Sequence, residues 1–158
     1  MPLPIVLDNT VLTNFALVKY TALVLRLWPT ACTTAEAMAE YQNGASLGRV
    51  PAQAWSELPI VSLSETELSL AASMSPRLGT GERTCLAVAC ERRGLFVSDD
   101  LDARLSAQRL GSRITGTLGI LALSVKRKLL SRKTANDALT TMIASGYRSP
   151  LDRIDSLL

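Results

Sequence analysis

Short apolar runs stopped abruptly by polar residues recur along the chain, separated by stretches with helical spacing. Ile5-Val6-Leu7 ends in Asp8-Asn9-Thr10, and Leu95-Phe96-Val97 ends in Ser98-Asp99-Asp100. Runs of this kind read as strands buried on both faces, as in parallel sheets. Ala31 to Thr34, Pro59 to Leu63 and Arg113 to Thr117 are further short strand candidates.

Between the strands the spacing predicts helices. One runs from Val11 to Trp28, with Asn9 or Thr10 as N-cap and Pro29 closing it. A second covers Ala35 to Tyr41, stops at Gln42-Asn43-Gly44, and puts Glu36 and Glu40 on one face. Residues 43–57 read as a loop or broken helix that Trp55 anchors to the core. Ser64 and Glu67 form a capping-box pattern, and Pro76 breaks the chain. Gly79-Thr80-Gly81 then feeds a helix from Glu82 to Arg93, with Gly94 as its left-handed C′ residue. Further helices follow: Leu101 to Leu110 ended by Gly111, one capped by Thr117 and running to Lys128, and Thr134 to Ala144. Alternation of strand and helix argues a parallel sheet with helices on both faces. In such sheets the ligand crevice lies outside the carboxyl ends of the strands, so the acids after Leu7 and Val97 are expected to face one crevice.

At 158 residues, 47% hydrophobic and 20% charged, the chain suits one globular domain. Lys19 and Arg26 interrupt the longest apolar stretch, and Met1-Pro2-Leu3-Pro4 lacks the basic flank of a signal peptide, so a cytoplasmic protein with no membrane segment is expected. Three cysteines without a CxxC pair, and no histidine, argue against structural zinc and exclude Ser-His and Cys-His catalysis. The net charge of +3 is asymmetric: residues 80–158 hold 13 of the 17 Lys and Arg, densest at Lys126-Arg127-Lys128 and Arg132-Lys133. That bias suits a polyanionic partner, although basic runs are most often solvated helix faces.

The remaining chemistry is acidic. Hard divalent cations such as Mg²⁺ take one or two carboxylates plus water and substrate phosphate, and Asp8, Glu40, Glu82, Asp99 and Asp100 could supply that set. Each also has a plain structural reading, as a helix cap, a partner for a helix dipole, or, for Glu40, a solvated surface residue. Asp8 and Asp99 together favour metal, because two acids converging on one crevice repel unless a cation or proton intervenes. Thr115-Gly116-Thr117-Leu118-Gly119 reads as an ordinary turn in preference to a phosphate-binding helix start. No GxxxxGK[ST] loop and no GxGxxG turn after a strand is present.

The ordered set of Val6-Leu7-Asp8-Asn9-Thr10, Glu40, Gly81-Glu82 and Ser98-Asp99-Asp100 resembles the PIN domain family of metal-dependent ribonucleases, which includes the VapC-type toxins. Gly79-Thr80-Gly81-Glu82, Asp99 to Arg104 and Gly116 to Leu121 look like one uncharacterised branch of it. The resemblance implies a three-layer α/β/α sandwich with a central parallel sheet over residues 1–148, leaving 149–158 as a tail. It implies Mg²⁺ or Mn²⁺ at Asp8, Glu82, Asp99 and Asp100, with Glu40 at the same acidic site. Ser98 stands where the family usually has threonine, and the Asp99-Asp100 doublet leaves open which carboxylate faces the metal. The expected function is endonucleolytic hydrolysis of single-stranded or structured RNA. Asp8 and Asp99 are the expected primary ligands, Glu82 and Asp100 position water, and Arg83, Arg104, Lys126 and Lys128 contact phosphate. An antitoxin protein and a homodimer are the expected protein partners. The rivals are a PIN-like module that binds RNA or protein without cutting, and a phosphatase, which the missing second aspartate of a DxDxT motif disfavours.

Overall fold

A computed structural model describes residues 2–158. Five strands form one all-parallel sheet in the order β3-β2-β1-β4-β5: β1 Ile5–Leu7, β2 Ala31–Thr34, β3 Ile60–Val61, β4 Leu95–Val97 and β5 Arg113–Thr115. Among the described residues eight α-helices flank it: α1 Asn9–Leu17, α2 Thr21–Leu27, α3 Ala35–Ser46, α4 Glu65–Ser73, α5 Thr80–Glu91, α6 Leu101–Arg109, α7 Thr117–Lys126 and α8 Arg132–Ala144. This is the three-layer α/β/α sandwich that the alternating pattern and the resemblance implied.

Strand side chains alternate in direction, and here the alternation splits the core in two. Leu7, Ala31 and Val97 pack among α1, α2, α7 and α8. Val6, Cys32 and Phe96 point the other way, among residues of α3, α5 and α6. Pairing of β1 with β4 is in register, Leu7 opposite Val97, so the next residues along are Asp8 and Ser98. That parity governs the site.

Several boundaries differ from the sequence reading for identifiable reasons. The expected helix from Val11 to Trp28 is two helices, because Lys19 takes a left-handed φ of 62°. Tyr20 N–H then donates to Phe15 O at 2.9 Å and Lys19 N–H to Ala16 O at 3.2 Å, a Schellman closure that turns the chain back. Asp8, rather than Asn9 or Thr10, caps α1. Helix α3 runs through Gly44 because buried Tyr41 fastens that segment, its hydroxyl donating to Pro51 O at 2.6 Å. Trp55 anchors residues 50–58 as expected, its indole N–H donating to Leu12 O at 2.8 Å. Arg93, with φ 55°, is the left-handed residue after α5. Gly94 is needed for another reason: a Cβ there would stand 2.1 Å from Pro4 O, where β1 and β4 enter the sheet side by side.

The Ser64–Glu67 capping box forms as read, and Glu67 also pairs with Arg92 at 2.8 Å, tying the start of α4 to the end of α5. Residues 149–158 lie against α8: Ile154 is fully buried, and its N–H donates to Asn136 Oδ1 at 2.8 Å. Among the described residues no helix is long and apolar enough to cross a membrane.

Candidate functional site

Helices α1, α5, α6 and α7 begin at the carboxyl edge of the sheet, as does α3 with its Thr34 cap, and the N-terminus of each of the first four is met by one or two of the candidate acids. Asp8 follows β1 and accepts from Asn9 N–H at 2.7 Å through Oδ1. Its Oδ2 accepts from the Ser98 hydroxyl at 2.7 Å, the in-register neighbour on the same side of the sheet. Asp8 is 1% exposed. Burial first, then the charges of Glu82 and Glu40, push its carboxyl up to about 7, against the lowering effect of the Ser98 and Asn9 hydrogen bonds.

Glu40 reaches from α3 to the start of α5, where Oε1 accepts from Gly81 N–H at 2.9 Å. Gly81 makes this approach possible, since a Cβ there would lie 2.8 Å from three atoms of the Glu40 carboxylate. Glu40 is therefore built into the α5 N-terminus and is not the solvated surface acid of its plain reading. Glu82 closes back on the same helix start, Oε2 accepting from Gly79 N–H at 3.0 Å. Burial raises the Glu82 carboxyl, with Asp100, Glu40 and Asp102 adding to the effect.

The doublet is divided between the two faces. Asp99 turns to the α1 and α7 side, where Oδ1 accepts from Thr117 N–H at 2.7 Å and Oδ2 takes both the Thr117 hydroxyl and Asn14 Nδ2. Its carboxyl is raised by burial, which outweighs these bonds and the Arg104 charge. Gly116 leaves it room, since a Cβ there would come within 2.5 Å of Asp99 Oδ1. Asp100 returns to the other side and caps α6 through Oδ2 to Ala103 N–H at 2.8 Å, with its charge felt by Glu82. Ser98 Oγ also accepts from Asp100 N–H at 3.2 Å, so one hydroxyl couples both sides of the Asp8–Asp100 group.

This corrects the expectation that Asp8 and Asp99 converge. Register sets Asp8 beside Ser98, and the acids that bear on Asp8 are Glu82 and Glu40. Thr117 is the first residue of α7, not its cap; Gly116 is the N-cap, and the Asp99 carboxylate satisfies the helix start. The phosphate reading of that turn gives way to an internal anion.

The basic residues also sort themselves. Arg104 is at the strand tips, donating to Ser98 O at 3.0 Å beside Asp99. Arg83 follows Glu82 on α5, half-buried, with Nε shut from solvent and unbonded. Lys126 and Lys128 are not brought to the acids. Helix α7 starts at the carboxyl edge and its ten residues carry the chain about 15 Å away. Arg127 Nη1 then reaches Leu27 O, just before β2 starts at the opposite edge.

Sequence reasoning missed Ser98 as the hinge of the acids and Asn14 as a partner of Asp99. A buried asparagine in the apolar α1 stretch was the available signal for Asn14. It also missed Arg49, Tyr147 and Arg148, which line the cleft over Glu40, Asp99 and Asp100.

The donor set consists of hard carboxylate oxygens, and Glu40 Oε2, Glu82 Oε1 and Asp100 Oδ1 accept no hydrogen bond from the described residues. Among the described residues no three acidic or thiol side chains stand close enough to form a ready-made cage for one ion. Mg²⁺ keeps waters and takes one or two carboxylates, so holding it does not require such a cage. Burial of mutually repelling carboxylates is the feature a cation would offset.

A parallel three-layer α/β/α domain with a carboxylate-lined cleft at the carboxyl edge of its sheet defines the class. Residues 4–158 match the family model of the PIN domain, and the chain belongs to that family, whose fold is of the nuclease type. No curated protein and no solved structure matches the chain.

Proposed function

We propose that the protein is a Mg²⁺- or Mn²⁺-dependent endoribonuclease. The observation that carries this reading is Asp8: a fully buried carboxylate, raised to about 7, with Glu82 and Glu40 as charged neighbours and no cationic side chain among its principal influences. The cap that Asp8 gives α1 does not offset the cost of burying a repelled carboxylate, and perturbed acids of this kind cluster at functional sites.

Asp8, Glu82 and Asp100 would hold the cation, with Glu40 at the edge of the group. The chemistry such an ion would supply there is polarisation of a phosphodiester and a more acidic water for in-line attack. Ser98 orients Asp8 by donating to Oδ2 and fixes the Asp100 backbone, so the two carboxylates keep one relative position. Glu82 and Asp100 each hold one oxygen on a helix start and present the other. Asp99 is a positioning residue: it fixes the start of α7 and, with Arg104 on Ser98 O, stiffens the loop that carries Asp100. We attach the activity to the toxin half of a toxin–antitoxin pair, on the resemblance to VapC-type proteins. A small DNA-binding protein encoded next door that blocks cleavage is the result this cellular role requires.

The spread of the acids favours one second reading, an RNA-binding module that does not cut. A single experiment separates the two. Purified protein is incubated with a mixed single-stranded RNA pool in Mn²⁺, in Mg²⁺ and in EDTA, with Asp8→Asn beside it. Cleavage that needs the metal and disappears in the variant supports the nuclease. RNA bound under every condition and cut under none supports the module.

A further inference from the structure

The cleft over the strand tips encloses about 910 Å³ and carries both signs of charge. Glu40, Asp99 and Asp100 line one part of it; Arg49, just after α3, and Arg148, just after α8, line another. Both arginines are exposed, and among the described residues neither is within 4.0 Å of a carboxylate oxygen or donates a side-chain hydrogen bond. Arginines that share a cleft with acids and stay unpaired are left to bind an anion brought from outside. The guanidinium fork matches phosphate oxygens in two-point contact.

Tyr147 lies between Arg148 and the core. Trp28, Trp55, Tyr41, Phe15 and Phe96 are buried, Tyr20 and Tyr147 are half-buried, and of these two Tyr147 lines the cleft. Part of its ring packs on the hydrophobic core, and its hydroxyl lies near Asp99 and Ser149. A ring held on the core and open to a cleft is a stacking platform for a base, and bases are available for stacking only where they are unpaired.

We propose that this cleft binds a single-stranded stretch of RNA, with Arg49 and Arg148 on phosphates adjacent to the one at the acids and Tyr147 stacked on a base. The Lys126-to-Lys133 run, at the far edge of the sheet, takes no part. This deepens the nuclease reading and rests on it.

The test is fluorescence anisotropy with a labelled mixed-sequence single-stranded RNA and its duplex, in EDTA, over a range of salt. Cleavage of the same strand in Mn²⁺ runs in parallel. Arg49→Ala and Arg148→Ala should each weaken single-strand binding several-fold and reduce the salt slope by about 0.7. Tyr147→Leu should weaken it about tenfold with the slope unchanged, while Tyr147→Phe binds as wild type. Lys126→Ala and Lys128→Ala should match wild type, and the duplex should bind more weakly than the strand. The proposal is overturned if the two arginine variants keep wild-type affinity and slope, if the lysine variants lose them instead, or if duplex binds as tightly. Were the wild type still to cut the strand in Mn²⁺, the nuclease reading would survive that result. Neither binding nor cutting by the wild type would overturn both.

Discussion

Replacing Asp8 by asparagine should stabilise the metal-free protein at neutral pH and bring no gain in acid. The folded Asp8 carboxyl is raised from 3.8 to about 7, so between those values the native state holds a proton that the unfolded chain has released. Stability of the wild type therefore falls as pH rises through that window, and the full penalty is present above pH 7. At 1.36 kcal/mol per pH unit it amounts to about 4 kcal/mol. Asparagine keeps the acceptor for Asn9 N–H but faces the Ser98 hydroxyl with an amide, a loss of about 1 kcal/mol. The net expectation is a gain of roughly 2–3 kcal/mol at pH 8, shrinking to zero or below near pH 4. Urea unfolding of both proteins in EDTA at pH 4.5, 6 and 8 measures this, and the difference between them isolates Asp8 from the other acids. Adding Mn²⁺ at pH 8 should raise the wild-type midpoint and leave the variant's in place, by mass action on the folded state. An asparagine variant less stable than wild type at pH 8, or a difference that does not change with pH, would refute the account of Asp8 as a buried, repelled carboxylate.

Four further outcomes follow from the same geometry. Asp100→Ala should abolish metal-dependent cleavage and cost about 1 kcal/mol, the value of an N-cap, in a thermal melt. Asp99→Ala should cost more, about 2–3 kcal/mol, because Thr117 and Asn14 lose their shared acceptor; equal destabilisation by the two would contradict the division of the doublet. Gly81→Ala should drive Glu40 off the start of α5 and cost about 1–2 kcal/mol, and in a double-mutant cycle Glu40→Ala should remove most of that cost. Gly94→Ala should cost about 3 kcal/mol or more by chevron analysis, since its Cβ meets the Pro4 carbonyl and not a movable side chain.

Much of this was legible from the chain because its signals are local. Apolar runs of three residues, each closed by a polar turn, mark β1 and β4, and the Ser64–Glu67 spacing marks the start of α4. The acids were legible one at a time for the same reason. Their grouping was not, because it depends on the register of β1 against β4, which no single strand encodes. One residue of slip would have set Asp8 beside Asp99, on one face, and made the expected pair. The distance of Lys126 and Lys128 from the site follows once α7 is known to begin at the carboxyl edge, but sequence density of charge says nothing about which end of a helix it occupies. Arg49 lies 98 residues before the adjacent pair Tyr147 and Arg148, and only the fold makes them one surface.

The plain and the functional readings of the acids turn out to be compatible, and the reason lies in the helix starts. The N-termini of α1, α5, α6 and α7 concentrate partial positive charge and unsatisfied N–H groups at one edge of the sheet. Asp8, Glu40 and Glu82, Asp100, and Asp99 each satisfy one of them. Capping therefore lets carboxylates crowd together without an arginine or lysine in contact with Asp8, which would compete with a cation for the same oxygens. It does not neutralise them, as the raised carboxyls of Asp8, Glu82 and Asp99 show. The acids that spend one oxygen on a helix and leave the other open, Glu40, Glu82 and Asp100, stand with Asp8 on the α5 side. Asp99, whose two oxygens take three donors, is on the α7 side. The same hydrogen bonds that look like ordinary caps thus leave an open oxygen on Glu40, Glu82 and Asp100, hold both oxygens of Asp8 between Asn9 and Ser98, and commit Asp99 to the loop.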